Sequence, residues 1–199
     1  MFIEVSIGEV VDKMSILELK LKFINNEDQL KEIRKEIFAL SLCNNYIDNN
    51  KFYYNLLLYV NEHIWNMTDI IKKKNIDTNE FAKISNEIFE FNQKRFRLKN
   101  FFNIINNSNL KEQKSYSKNN CLIRINNYDT FLNKQSEINF LSIEYDTLSF
   151  ECDFISEIQK IITIPNIIYE NNAEYIKSIN LEEFEINVYL KKIFYDLKI

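Results

Sequence analysis

The sequence predicts an α plus α/β chain: an antiparallel four-helix bundle-like domain over residues 1–117, then a small α/β domain over 118–199. Three observations predict it. Apolar residues recur at helical spacing from Ile7 to Ile105. From Asn106 to Asn120 that pattern gives way to Ser, Asn, Lys and Gln, the composition of a linker. Beyond it, short apolar stretches alternate with the period of strands.

The first helix opens on Ser6-Ile7-Gly8-Glu9, which fits a capping box in which the Ser6 hydroxyl takes an orphan N–H and Glu9 reaches back. Behind it Ile7, Val10, Val11, Met14, Leu17, Leu21 and Ile24 form one stripe, with Ile16, Leu19 and Phe23 roughly opposite. A helix apolar on two sides is expected to lie between neighbours. Asn25-Asn26 turns the chain into a second helix carrying Leu30, Ile33, Ile37 and Leu40. After the polar break Asp48-Asn49-Asn50 a third follows, marked by Leu56, Leu57, Val60, Ile64, Met67 and Ile71. Asp77-Thr78-Asn79-Glu80 caps a fourth, which runs through Phe81, Ile84, Ile88, Phe91, Leu98, Phe102 and Ile105. Short connections between four helices predict antiparallel packing.

In the second half, Cys121 to Ile125 reads as a strand and Tyr128 to Glu137 as a short helix. Phe140 to Tyr145 and Thr147 to Cys152 read as further strands. A helix is expected over Ile155–Ile162, a short strand at Ile167-Ile168-Tyr169 after Pro165, and a last helix from about Leu181 to Leu197.

Composition excludes several classes of function. Gly8 is the only glycine in 199 residues, where an average chain of this length carries roughly fourteen. Walker loops and dinucleotide fingerprints use glycine to bring backbone N–H groups against phosphate, so neither is available. His63 is the only histidine, which rules out a multi-histidine metal site and leaves a Ser-His-Asp triad one candidate base. Cys43, Cys121 and Cys152 are scattered and are expected to be free thiols in a reducing compartment. A net charge of −4 gives no pull toward nucleic acid. The N-terminus has neither the basic start nor the apolar core of a signal peptide, and no apolar run reaches the roughly 18 residues of a membrane span. The expectation is a cytoplasmic protein with no cofactor, no metal, no nucleic-acid partner and no membrane span.

Three groups of residues stand out. Glu18 on the first helix and Arg95 on the apolar stripe of the fourth are charges at core positions, which predicts that they meet or find other partners inside the bundle. That arrangement is either a structural ion pair or a polar pocket to which Asp12 and Lys13 contribute. Glu62, Trp65 and Asp69 share one face of the third helix. Carboxylates accept sugar hydroxyls and indole stacks on a sugar face, so this face suits a polyol; equally, Trp65 packs on a neighbour while the acids are solvated. Lys94-Arg95-Phe96-Arg97-Leu98-Lys99 is a basic run that reads as a solvated helix face, with Arg97, Lys99 and Lys114 available for a local phosphate site.

Four segments carry a resemblance: Val5 to Lys20, Asn61-Glu-His-Ile-Trp-Asn-Met-Thr-Asp69, Asn92-Gln-Lys-Arg95 with Lys99, and Glu112-Gln-Lys-Ser-Tyr116. In this order they resemble a bacterial family of unknown function made of short helical proteins, over roughly residues 3–117. The resemblance places Ser6, Gly8, Glu9, Asp12, Lys13, Glu18, Asn61, Glu62, Trp65, Asp69, Asn92, Arg95, Lys114, Ser115 and Tyr116 on motif positions, as one polar cluster. The unit after about Asn120 departs from it. Domains of this kind are similar to modules beside tetratricopeptide repeats and sugar-transfer proteins, which implies a surface-glycan setting. The function expected is a non-catalytic accessory or protein-interaction protein working with a protein partner or as a homodimer. The alternative is a sugar- or sugar-phosphate-binding protein or enzyme, with Glu62 or Asp69 as base, Arg95 and Lys99 holding an anion, and Trp65 stacking on the ring.

Overall fold

The computed structural model describes residues 3–73, 75–113, 119–169, 177–188 and 190–191. The chain forms two compact units, Met1–Gln113 and Lys114–Ile199.

The first unit is helical. Helix α1 (Ile7–Phe23) begins where the Ser6 hydroxyl accepts from the Glu9 N–H. The return arm of the expected capping box is absent, because the Glu9 carboxylate pairs with Lys99 instead. The next orphan donors are met from far along the chain: Asn103 Oδ1 accepts from Gly8 N at 2.7 Å and Ser108 Oγ from Ile7 N at 3.1 Å. Helix α2 (Glu27–Leu40) starts at Asn26, whose side chain accepts from Gln29 N–H. A 3₁₀ turn (Ser41–Cys43) and a short helix α3 (Asn44–Asp48) follow, neither marked in the sequence pattern. Helices α4 (Lys51–Lys73) and α5 (Thr78–Ile105) then form a long hairpin. Asp77 opens α5 by accepting from the N–H groups of Asn79 and Glu80 at 2.8 and 2.9 Å.

As its two stripes predict, α1 packs against α2, α4 and α5, and buries Val11, Met14, Leu17 and Leu19. It runs against α5, since Gly8 meets Asn103 while Asp12 meets Arg95. The core is completed by Tyr54, Leu56, Leu57 and Val60 of α4 and Leu98, Phe101 and Phe102 of α5.

The second unit is a three-stranded parallel sheet in the order β2-β1-β3 with helices. Strand β1 (Asn120–Arg124) is central, and helices α6 (Tyr128–Asn133) and α7 (Gln135–Glu144) lead to β2 (Thr147–Glu151). Helix α8 (Ile155–Ile161) precedes β3 (Lys177–Asn180). Registers pair Ile123 with Phe150 on one side and with Ile179 on the other.

Three expectations are corrected here. Phe140 to Tyr145 is not a strand: Phe140 lies within α7, a helix in which Ile138, Asn139, Leu141, Ser142 and Ile143 are all buried. Burial nearly all round erases the amphipathic period that separates a short helix from a strand. The stretch Ile167 to Tyr169 contributes a single parallel bridge, Ile167 to Leu148, not a strand. The last helix begins later than expected: residues 181–187 are turn and coil, 188 and 190–191 are helical, and 189 and 192–199 lie outside the described residues.

Candidate functional site

The site begins with a charge that the fold places in the interior. Asp12 lies on the inner side of α1 and is 3% exposed. A carboxylate so placed requires partners, and α5 and α4 supply them. Arg95 of α5 donates from Nε to Asp12 Oδ1 at 2.8 Å and from Nη2 to Oδ2 at 2.6 Å, a two-point pair. Asn61 of α4 donates from Nδ2 to Asp12 Oδ1 at 2.9 Å and to Ser15 Oγ at 2.7 Å. The Ser15 hydroxyl donates in turn to the Asp12 backbone carbonyl at 2.7 Å. Hydrogen bonding to Asp12 holds the Arg95 guanidinium above its ordinary pKa, against the opposing effect of burial.

This network leaves one group unmatched. The Asn61 amide cannot be turned round, because Asp12 Oδ1 and Ser15 Oγ both require its NH₂ side. Its Oδ1 is therefore fixed as an acceptor, and it is buried with no hydrogen-bond partner among the described residues. An orphan of this kind costs about 1–3 kcal/mol.

Above the network lies a cavity of about 210 Å³ between α1, α4 and α5. Ile16 and Leu19 of α1 and Ile64 of α4 form its apolar wall. Asn61, Trp65, Thr68, Asp69 and Lys72 of α4 and Arg95 of α5 form the rest. Trp65 is half-buried, and its ring stacks on Phe23 with centroids 5.5 Å apart and planes 20° apart.

The structure thus gathers Asp12, Asn61, Trp65, Asp69 and Arg95 from the sequence-predicted set and separates the others. Glu18 does not meet Arg95: it is on the exposed side of α1, near the Tyr54 hydroxyl, whose ionisation is opposed first by burial and then by Glu18. The partner of Arg95 is Asp12, six residues before Glu18, because position 12 points at α5 and position 18 does not. Glu62 pairs with Lys22 and does not line the cavity that Trp65 and Asp69 share. Lys13 is exposed and pairs with Glu36 at 2.8 Å. Asn92 donates back along its own helix to the Ile88 carbonyl at 2.9 Å. Lys114, Ser115 and Tyr116 lie outside the described residues.

The basic run on α5 is not a solvated face throughout. Arg97 is 6% exposed, and Lys99 lies against Glu9 and, at 2.7 Å, Glu112. Burial alone would lower the Lys99 pKa, but the hydrogen bonds to Glu112 and Glu9 raise it above the ordinary value. Lys99 is held between two carboxylates, and the first N–H groups of α1 are already met by Ser6, Asn103 and Ser108.

Sequence reasoning missed Ser15, Thr68 and Lys72 as parts of the site, whereas Asn61 stands on a motif position of the resemblance. Asn61 and Ser15 carried a signal, since each is a polar residue between apolar core positions of its helix. Among the described residues no group of His, Cys, Asp and Glu is placed to hold a metal ion. None of their helices is long and apolar enough to cross a membrane.

Fold and site together define a helical domain with a polar core opening on a small cavity, joined to a small parallel α/β unit. The chain belongs to DUF6165, a family of unknown function, which matches residues 1–135. The match runs past the stretch 3–117 that carries the sequence resemblance, and takes in β1 and α6 of the second unit. That unit is therefore not wholly a departure from the family. No curated protein and no solved structure matches the chain.

Proposed function

We propose that this chain is a non-catalytic accessory protein whose helical unit holds a sugar or sugar phosphate in the cavity between α1, α4 and α5. The observation that carries the reading is Asn61, whose buried Oδ1 has no donor among the described residues and which itself lines a cavity together with an indole, a guanidinium and a carboxylate. A ligand hydroxyl supplies the missing donor. Arg95 and Lys72 suit an anionic substituent, Asp69 suits further hydroxyls, and Ile16, Leu19 and Ile64 suit the apolar face of a ring. Binding rather than catalysis is favoured by the state of Asp12: both of its oxygens are engaged by Arg95 and Asn61, so it is not free to act as a base. The surface-glycan setting and cytoplasmic location are supported by the sequence reading alone.

The test is a thermal-shift screen of nucleotide sugars, sugar phosphates and dicarboxylates, followed by calorimetry, with Trp65→Ala alongside. The expected result is a midpoint that rises with concentration of one ligand class and does so much less in Trp65→Ala. No shift with any compound, with Trp65→Ala folded, overturns the ligand reading and leaves the polar core a structural device.

A further inference from the structure

The cavity of the helical unit offers different chemistry along its length. At one end Asn61 and Arg95 are both bonded to Asp12 Oδ1. Asn61 gives its N–H groups to Asp12 and Ser15, so of its side-chain amide only Oδ1 remains for a ligand, and that atom accepts. Arg95 gives Nε and Nη2 to Asp12 along one edge of its guanidinium. The fork is fixed and planar, and its Nη1 donors meet no partner among the described residues. Ile16, Leu19 and Ile64 line the same cavity with aliphatic surface, and Lys72, further along α4, is exposed.

Charge and volume narrow what the Asn61 end takes. Arg95 is already matched by Asp12, which is 3% exposed. A full anion on the far edge of that guanidinium gains less than its charge suggests, because a buried carboxylate stands behind it. A neutral acceptor therefore fits this end, and an anionic part of the ligand belongs nearer Lys72. The volume of about 210 Å³ is below the roughly 300–1,000 Å³ of a pocket that encloses a whole small ligand, so the cavity holds one ring or one arm of a larger molecule. The arm needs a donor for Asn61, a neutral acceptor for Arg95 and an apolar tip for the aliphatic wall. A hydroxyl lacks the tip, and a phosphate lacks it and carries charge.

We propose that this end of the cavity reads a secondary amide, the acetamido arm of an N-acetylated amino sugar. Its N–H goes to Asn61 Oδ1, its carbonyl oxygen to Arg95 Nη1, and its methyl to Ile16, Leu19 and Ile64. A trans amide points its N–H and C=O in opposite directions, and the two partners come from different helices, α4 and α5. The proposal rests on the sugar-site reading above and narrows it to one substrate class.

Titration calorimetry on the full chain compares N-acetylglucosamine and N-acetylgalactosamine with glucose and galactose, each as the free sugar and as the sugar phosphate. The expected result is an acetamido compound held roughly tenfold or more tighter than the hexose with a hydroxyl in its place. With the acetyl methyl isotope-labelled, intermolecular NOEs from it are expected to reach the methyl groups of Ile16, Leu19 and Ile64. Equal or weaker binding of both acetamido sugars than of their parent hexoses overturns the proposal and leaves the sugar site standing. Tighter binding with NOEs that miss these three side chains overturns it as well. So does silence from all of these compounds, and the wider screen above then decides separately whether the ligand reading falls with it.

Discussion

Gly8 of α1 presses directly on the backbone carbonyl of Lys99 in α5: a Cβ at position 8 would overlap that carbonyl and lie 3.0 Å from Asn103 Oδ1. Its backbone is ordinary helix without positive φ, so the chain's single glycine is there for close approach rather than for a turn. Alanine in place of glycine ordinarily favours a helix by up to about 1 kcal/mol. Here overpacking against a carbonyl that cannot rotate away outweighs it, at about 1–3 kcal/mol or more. Gly8→Ala is expected to lower the unfolding free energy by a net of roughly 1 kcal/mol or more, seen as a lower urea midpoint, and to weaken the Glu9–Lys99 pairing beside it. An unchanged or raised midpoint would show that α1 and α5 do not approach this closely.

Asp12→Ala should be among the most damaging single changes in the helical unit. It strands Arg95, whose side chain is 27% exposed, and removes the acceptor that fixes Asn61. Breaking one half of a buried pair costs about 3–5 kcal/mol, whereas replacing both halves with apolar residues is often neutral or better. The double variant Asp12→Leu/Arg95→Met is therefore expected to be more stable than Asp12→Ala. Lys13→Ala, at a pair more than half exposed on the lysine side, should change the unfolding free energy by less than about 1 kcal/mol. A double variant less stable than the single would refute the pairing argument.

The helical half was legible because its signals are local. Ser6, Asn26 and Asp77 each cap the helix that their sequence context announces, and long amphipathic stripes fix period and face. Position within a stripe was legible too: Arg95 faces the core as its place beside Ile88, Phe91 and Leu98 requires. Its partner was not, since choosing Asp12 over Glu18 depends on how α1 is rotated against α5, a rotation set by the glycine contact rather than by either helix alone. The second half lost its signals for tertiary reasons. β3 has one buried apolar residue, Ile179, and exists as a strand through pairing with β1, while α7 is buried nearly all round and so carries no period.

Alkaline pH should unfold the helical unit early. Burial raises the phenol pKa of Tyr53 and Tyr54 above the ordinary tyrosine value of 10, with Glu18 adding to the effect at Tyr54. Above pH 10 the unfolded chain gives up these protons first, so it binds fewer protons than the native state and stability falls as pH rises. The stabilisation is complete below pH 10 and is lost progressively above it, at up to about 1.4 kcal/mol per pH unit for each phenol. Lys99 acts with the same sign: its raised pKa supports the fold below its unfolded value and ceases to do so as pH climbs through the folded one. Tyr53→Phe/Tyr54→Phe is expected to flatten the melting-temperature profile between pH 9.5 and 11, roughly the range over which unfolded tyrosine titrates. An unaltered slope in that variant would place the alkaline transition elsewhere.

In the second unit, Cys121 should be silent to thiol reagents until the sheet opens. It lies in the central strand β1 at 0% exposure, and burial pushes its thiol up to about 11. Thiolate is the reactive form, so at pH 8 the native side chain is protonated to about one part in a thousand thiolate as well as shielded. Cys43 and Cys152 are partly exposed, with thiols raised chiefly by burial, and are expected to react slowly but measurably. Titration with a chromogenic disulfide should therefore count two thiols in the native chain and three in denaturant. The rate of the third, followed against denaturant, then reports opening of the β2-β1-β3 sheet apart from unfolding of the helices. Prompt reaction of all three in the native state would mean that β1 is not the covered central strand.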